Sequence, residues 1–283
     1  ITEIISKITD MVYVEFTEPE ENDDIPVLLS NSKLVEPFEV ITELYSLPDP
    51  RGIDPNPYMA PFYWIFFGMM LSDAGYGIIL SLLTAVALLK FKLEGSGKKF
   101  IKMFFLCGIS TTIWGAIFGG WFGDLIKIKP LWINPLDNPM AVLIVSFALG
   151  VIQIYTGIIL EGYKNIRDGH VLDAIMDQGF WLLLLTGILM FVFQPLAGIA
   201  KYLAIIGVVG LVLTQGRAQK NVLMKFASGV LSLYNITGYL SDLLSYSRLL
   251  ALGLTTGVIA SVINTMAKTI SGSIIGFIIM ILV

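Results

Sequence analysis

The residue with the most demanding chemistry is Arg248. It stands in the run Gly238-Tyr-Leu-Ser-Asp-Leu-Leu-Ser-Tyr-Ser-Arg-Leu-Leu-Ala-Leu-Gly-Leu-Thr-Thr-Gly257, with apolar sequence on both sides. A guanidinium keeps its proton at any relevant pH. At bilayer depth it costs on the order of 3 kcal/mol, so it faces protein or a hydrated cavity and pairs with an acid. At helical spacing Ser241, Ser245, Arg248, Ala251 and Thr255 share one face, and all but the arginine are small. Small side chains let another helix approach the arginine closely. The same stripe also suits ordinary packing, and the arginine could instead snorkel to an interface or pair within the chain. Gly253 and Gly257 lie on roughly the opposite face and suit packing within the chain, as do Gly115, Gly119 and Gly123.

Carboxylates are few in the apolar part. Glu161 ends a span, and Asp242 precedes Arg248 but does not share its face. These two are the stronger candidates for lining an ion path together with Arg248, Ser245 and Thr255. Asp73 suits a helix cap, and Asp124 an end-of-span charge. Gln153, Tyr155, Asn235, Tyr246 and Asn264 are further polar groups inside apolar blocks. Cys107 and His170 are the sole residues of their types, so neither a disulfide within the chain nor a metal centre is expected. The sequence has no phosphate loop, nucleophile elbow or paired-histidine motif. No catalytic residue is assigned.

The elements that must hold these residues are membrane helices. The chain is 55% hydrophobic and 14% charged, whereas soluble domains are about 25% charged. The apolar residues form blocks at about 59–89, 100–122, 140–160, 179–194, 199–214 and 227–269, with another beginning at 273. Each is near the roughly 20 residues that span a bilayer. Two blocks are unusual. Residues 59–89 are interrupted at Ser72-Asp-Ala-Gly75, which predicts a kinked helix or a tight pair of short ones. Residues 227–269 would reach about 64 Å as one helix, about twice the hydrocarbon thickness. Such a helix tilts or breaks, and Gly238 is the expected bend. The predicted fold class is an all-α polytopic bundle.

Lysine and arginine placement predicts the topology. Lys90, Lys92, Lys98, Lys99, Lys102, Lys164, Arg167, Arg217, Lys220 and Lys225 fall in one set of loops; Lys127, Lys129, Lys201 and Lys268 fall in the other. The richer set is expected in the cytoplasm. A cytoplasmic N-terminal segment then requires residues 59–89 to cross twice, giving eight spans in an intact protein. Residues 1–57 read as the tail of a soluble domain: Val12–Phe16 alternates like a strand, residues 32–47 suit a short helix, and Pro48, Pro50, Pro55 and Pro57 make a stiff connector. Residues 58–283 form the membrane domain. The chain opens on Ile1 and stops within an apolar run, so it reads as a piece of a longer protein. The net charge of −4 gives no basic patch for nucleic acid.

The run Ser245-Tyr-Ser-Arg-Leu-Leu-Ala-Leu252 resembles the arginine-bearing penultimate helix of the stator subunit of V-type and A-type rotary ATPases, called a or I. Its motif there is Ser-Tyr-x-Arg-Leu-x-Ala-Leu. Pro61-Phe-Tyr-Trp-Ile-Phe-Phe-Gly-Met-Met-Leu-Ser-Asp-Ala-Gly-Tyr-Gly77 resembles the family's membrane entry, with Ser72 where glycine is common, and Asp54-Pro-Asn-Pro57 resembles its connector. The resemblance runs from about residue 35 to the end. It implies eight membrane helices in a cell-membrane protein, two of them long and tilted beside a rotating ring of small proteolipid subunits. Each ring subunit carries a carboxylate that meets Arg248. Half-channels near Ser245, Asp242, Glu161 and Thr255 would pass Na⁺ or H⁺. Further implied partners are peripheral-stalk subunits, a central-stalk subunit (d or C) and membrane lipids. The family's second arginine falls on the last helix, beyond this sequence. Eukaryotic members carry histidines where this chain has Asp242 and Thr256, and its character resembles a bacterial subunit of the enterococcal sodium-pump kind. A secondary transporter, which would show repeated halves with matched broken helices, and a structural anchor are the alternatives.

Overall fold

The computed structural model describes residues 26–50, 52–191, 194–217 and 221–270. The strand expected at Val12–Phe16 lies outside them. The described residues are helical with no strand. A 3-10 turn, Glu36–Phe38, leads into α1 (Glu39–Tyr45). Then follow α2 (Asn56–Leu71), α3 (Ala74–Lys90), α4 (Gly95–Phe118), α5 (Pro139–Arg167), α6 (Val171–Phe191), α7 (Ala197–Thr214), α8 (Val222–Ser232), α9 (Asn235–Ser245) and α10 (Ser247–Ile270). By length and composition, α4, α5, α6, α7 and the stretch Leu223–Thr269 are each able to cross a membrane.

The interrupted first block is a helical hairpin. Glycines set its packing, because a side chain at Gly68 would strike Ser110 and Trp114 on α4, one at Gly77 would strike Thr112, and one at Gly115 would strike the backbone of Ala74. Contacts from Ala60 to Gly68 on α2 advance with residue number along α4, from Met103 to Trp114. Contacts from Ala74 to Ser81 on α3 run back from Gly115 to Gly108. The two short helices are therefore antiparallel, and both lie along α4. Asn56 and Lys90 end on the same side, together with the start of α4. The break in residues 59–89 is thus a tight pair of short helices.

The turn between α2 and α3 needs Ser72 in the left-handed region, at φ 38° and ψ 35°. This conformation costs a residue bearing a Cβ about 1–2 kcal/mol, which explains why glycine is common there in the family that the motif resembles. Asp73 caps α3 by accepting from the Tyr76 N–H at 3.1 Å. It also accepts from the N–H groups of Phe122 at 3.0 Å and Gly123 at 2.7 Å. Phe122 is itself left-handed at φ 53°. One buried carboxylate thus holds both the hairpin turn and the strained loop after α4.

α6 and α7 form a second antiparallel hairpin, with Gly187 against Ala204, Gly207 against Leu184 and Gly210 against Phe180. α6 begins with a wide π-helical turn, Ala174–Gly179. There Asp173 and Asp177 meet Arg217, at 2.8 and 2.6 Å, beyond the end of α7.

The stretch from α8 to α10 is 47 residues long within Leu223–Thr269, about 70 Å as a helix. It touches its neighbours in succession. Gly229 meets Val212 of α7, Tyr239 packs on Trp181 of α6, Tyr246 on Gly150 of α5 and Phe66 of α2, Gly253 on Met69 of α2, and Gly123 abuts Ala260. A helix parallel to the bundle could not reach these helices in turn, so this one crosses the bundle obliquely. The expected bend at Gly238 is not present. Gly238 lies inside α9, and the interruptions fall at Leu233–Tyr234 and at Tyr246. At both places the backbone tightens through i→i−3 bonds, including Tyr234 to Leu231 and Tyr246 to Leu243. Gly238 has no atom within 4 Å of a built Cβ. No neighbour presses on it, whereas Tyr246 is gripped on two sides.

Candidate functional site: a cation between two polar crevices

Tyr246 anchors the site. Its ring covers Gly150, packs edge-on against Phe66 at 5.6 Å, and its hydroxyl donates to Gln153 Oε1 at 2.7 Å. Leu249, on the same side of α10, is buried. Arg248 is exposed, at the edge of a crevice of about 270 Å³ that it and Ser245 share with Phe66, Phe67, Met70 and Gln153. Among the described residues no carboxylate pairs with it. Ser241, Asp242, Ser245, Ala251 and Thr255 are exposed with it. Ser245 Oγ donates to the Asp242 carbonyl at 2.6 Å and Thr255 Oγ1 to the Ala251 carbonyl at 2.7 Å. Both hydroxyls therefore spend their protons on their own helix. The face predicted from spacing is thus bare.

Gly253 is buried on the opposite side, against the Met69 carbonyl. Gly257 meets nothing within 4 Å and opens on a crevice instead. Gly119 packs against Pro130 and Gly123 against Ala260, as expected of packing within the chain. They also turn the chain beyond α4, at φ +80° and +70°.

Two polar crevices flank the arginine along the long helix. Toward the end of α10, a cavity of about 200 Å³ is lined by Asp73, Asp124, Lys127, Asn134, Thr256 and Ser261, among others. Thr256 lies about 12 Å along the helix axis from Arg248. Asn264 Nδ2 braces this wall by donating to Asp124 Oδ1 at 3.0 Å and to the Phe122 carbonyl at 2.7 Å. In the other direction, Tyr234, Asn235, Thr237, Gly238, Tyr239 and Asp242 line a crevice of about 350 Å³. Asp242 lies about 9 Å before Arg248 along the axis. Glu161 is exposed near the end of α5, and Tyr239 is within electrostatic range of both Glu161 and Asp242. The structure thus gathers Glu161 and Asp242 at one end, while Arg248, Ser245 and Thr255 share the bare face.

Several polar residues ranked low from sequence turn out to be partnered. Gln153 holds Tyr246, Tyr155 shares a hydrogen bond of 3.0 Å with Thr186, and Asn264 holds Asp124. Asp124 and Thr256 gain weight because they line the same cavity. No signal in one sequence joins residues so far apart along the chain. Among the described residues no group of His, Cys, Asp and Glu could hold a metal ion.

A polytopic α-helical bundle, with a bare cation between polar crevices on an oblique helix, is the architecture of a multi-pass membrane protein built around one charged face. Over 96% of its length the chain is 34% identical to the A-type ATP synthase subunit I of Methanocaldococcus jannaschii, and over 99% it is 33% identical to that of Pyrococcus horikoshii. It is 26% identical to the V-type ATP synthase subunit I of Borreliella burgdorferi over 89% of its length. The chain belongs to this subunit I family. It spans about 44–45% of the length of these three relatives. No family model matches it.

Proposed function

We propose that this chain is the membrane part of a rotary ATPase stator, and that Arg248 faces a rotating ring of small subunits bearing carboxylates. The observation that carries this reading is the bare face itself: Arg248 is exposed in the first turn of α10, midway along the oblique stretch, among small residues, with no acid of the described residues against it. A guanidinium left so in a membrane calls for a partner from outside the chain. A carboxylate brought to about 4 Å from it gains roughly 4 kcal/mol at an effective dielectric of about 20, about a thousandfold toward the ionised form. The ring carboxylate therefore gives up its Na⁺ or H⁺ as it reaches Arg248. The same fixed charge repels free cations and keeps the two crevices from joining into a leak.

In this reading the crevice with Asp124, Thr256 and Ser261 serves the outer side. The crevice with Asp242, near Glu161, serves the cytoplasmic side. Loading and unloading are then offset along the helix and joined only by ring rotation. Residues 58–283 form the ion-translocation domain of a cell-membrane protein, and residues 1–57 end a cytoplasmic domain that meets the peripheral-stalk and central-stalk subunits. The subunit binds no nucleotide and needs no cofactor. Its cargo is the cation, and the ring carboxylates set the choice between Na⁺ and H⁺.

The test is Arg248→Lys in the assembled enzyme. A lysine keeps the charge but loses the planar fork and sheds its proton more readily. ATP-driven ion uptake into vesicles should fall at least tenfold while the complex stays assembled. Uptake unchanged by Arg248→Lys would refute the assignment. Flux through the subunit alone in liposomes would favour a secondary transporter.

A further inference from the structure

The cytoplasmic end of the hairpin carries a second charged cluster that ion passage does not use. Glu36, Glu39 and Glu43 lie on one face of the 3-10 turn and α1. Opposite stand Ser96, Lys99 and Lys102 in the first turns of α4. Lys99 Nζ reaches Glu39 Oε2 at 2.7 Å and Glu43 Oε1 at 3.0 Å, Lys102 Nζ reaches Glu36 Oε2 at 3.0 Å, and Ser96 donates to Glu43 at 3.2 Å. Glu39 is 1% exposed, and its other oxygen accepts from Asn31 Nδ2 at 2.8 Å. Asn31 also reaches Asp54 at 2.7 Å, and Asp54 holds the Asn56 N–H at 2.9 Å and the Asn56 side chain at 2.7 Å. Asn56 is fully buried and accepts from Thr42 at 2.6 Å. Beneath this network Phe38 packs edge-on against Tyr63 at 5.8 Å, in a core with Ala60, Met103 and Cys107.

The connector is thus bolted to the start of α2 through Asp54 and to the start of α4 through Lys99 and Lys102. Glu39 is buried while Lys99 keeps 24% of its side-chain exposure, and a pair of this kind adds little net stability, which leaves the fixing of one geometry as its use. We propose that this cluster is the load-bearing joint of the subunit: Glu39 and Lys99, braced by Glu36–Lys102 and Glu43–Ser96, are positioning residues that keep the connector from bending when the ring pushes on Arg248. The inference rests on the stator reading above. It predicts a defect that appears under load, not at rest.

The experiment uses the full subunit in the assembled enzyme, reconstituted in vesicles, with ions moved per ATP measured at increasing opposing ion gradient. Glu39→Gln with Lys99→Gln should keep the ratio near normal with no gradient and lower it several-fold at high gradient. Glu36→Gln with Glu43→Gln removes only the half-exposed braces, so it remains informative if the buried pair is needed for folding; it should shift the same curve less far. A disulfide between Glu43→Cys and Ser96→Cys, added to the Glu39→Gln with Lys99→Gln variant, should restore coupling when oxidised and lose it when reduced. A load curve like the wild type's in both neutralised variants would overturn the joint. So would a parallel fall of hydrolysis and pumping at every gradient that the disulfide does not repair. Arg248→Ala is run beside them. Pumping that survives Arg248→Ala would sink the stator reading itself, whereas its loss together with wild-type load curves in the joint variants would sink only the joint.

Discussion

Arg248 stands beside Tyr246, which Gly150, Gln153 and Phe66 hold in place. The position of the cation is therefore set by a neutral aromatic residue that spacing alone ranks as minor. The sequence already shows that Arg248 shares its face with small residues, because helical periodicity is local. It does not show which way that face points, since that depends on a contact between residues far apart in the chain. Ser72 makes the same point in reverse. Its departure from glycine is visible in the motif, and its left-handed backbone at φ 38° is the physical reason glycine suits the position. Ser72→Gly should stabilise the hairpin by about 1 kcal/mol, the left-handed penalty less the added chain entropy of glycine. Reversible denaturation of the purified protein in mixed micelles would read this, and a destabilising Ser72→Gly would contradict the assigned turn.

At the scale of elements, the hairpin α2–α3 and the oblique helix α8–α10 do the positioning. The break at Ser72-Asp-Ala-Gly75 and the excess length of the last block are both legible in the sequence. The site of the interruption in the long helix is not. Glycine is permissive, but a helix bends where neighbours grip it, and the grip is on Tyr246 and not on Gly238. Asp73 caps α3 as its place in the sequence suggests, and its hold on Phe122 and Gly123 links the hairpin to the wall of the crevice lined by Asp124 and Thr256. Asp73→Ala would strand these N–H groups at about 1–3 kcal/mol each. It should lower stability in the same assay and collapse the cavity lined by Asp124 and Thr256. The crevices also make a sided prediction. A membrane-impermeant thiol reagent should label Ser261→Cys from the outer face and Asp242→Cys from the cytoplasmic face. Labelling of both from one side would contradict the two-crevice arrangement.

For the whole molecule, function is divided between a gripped side and a bare side. The gripped side includes the glycine-packed hairpins, the Asp73 turn, the Arg217 clasp and the charged joint on α4. The bare side is the line of Ser241, Ser245, Arg248, Ala251 and Thr255. Bundle class could be read from the apolar blocks, because membrane burial imposes it block by block. The joint could not, because its carboxylates and lysines each look like ordinary surface charge until the fold brings them together. The central claim is that the bare face meets a carboxylate-bearing ring helix. The most direct test is disulfide trapping in the assembled enzyme, with Ala251→Cys on the bare face and Leu249→Cys on the buried one, each paired with a cysteine beside the ring carboxylate. The account predicts a rapid cross-link from position 251 that stops rotation and none from position 249. Cross-linking from 249 but not from 251, or from neither, would contradict it.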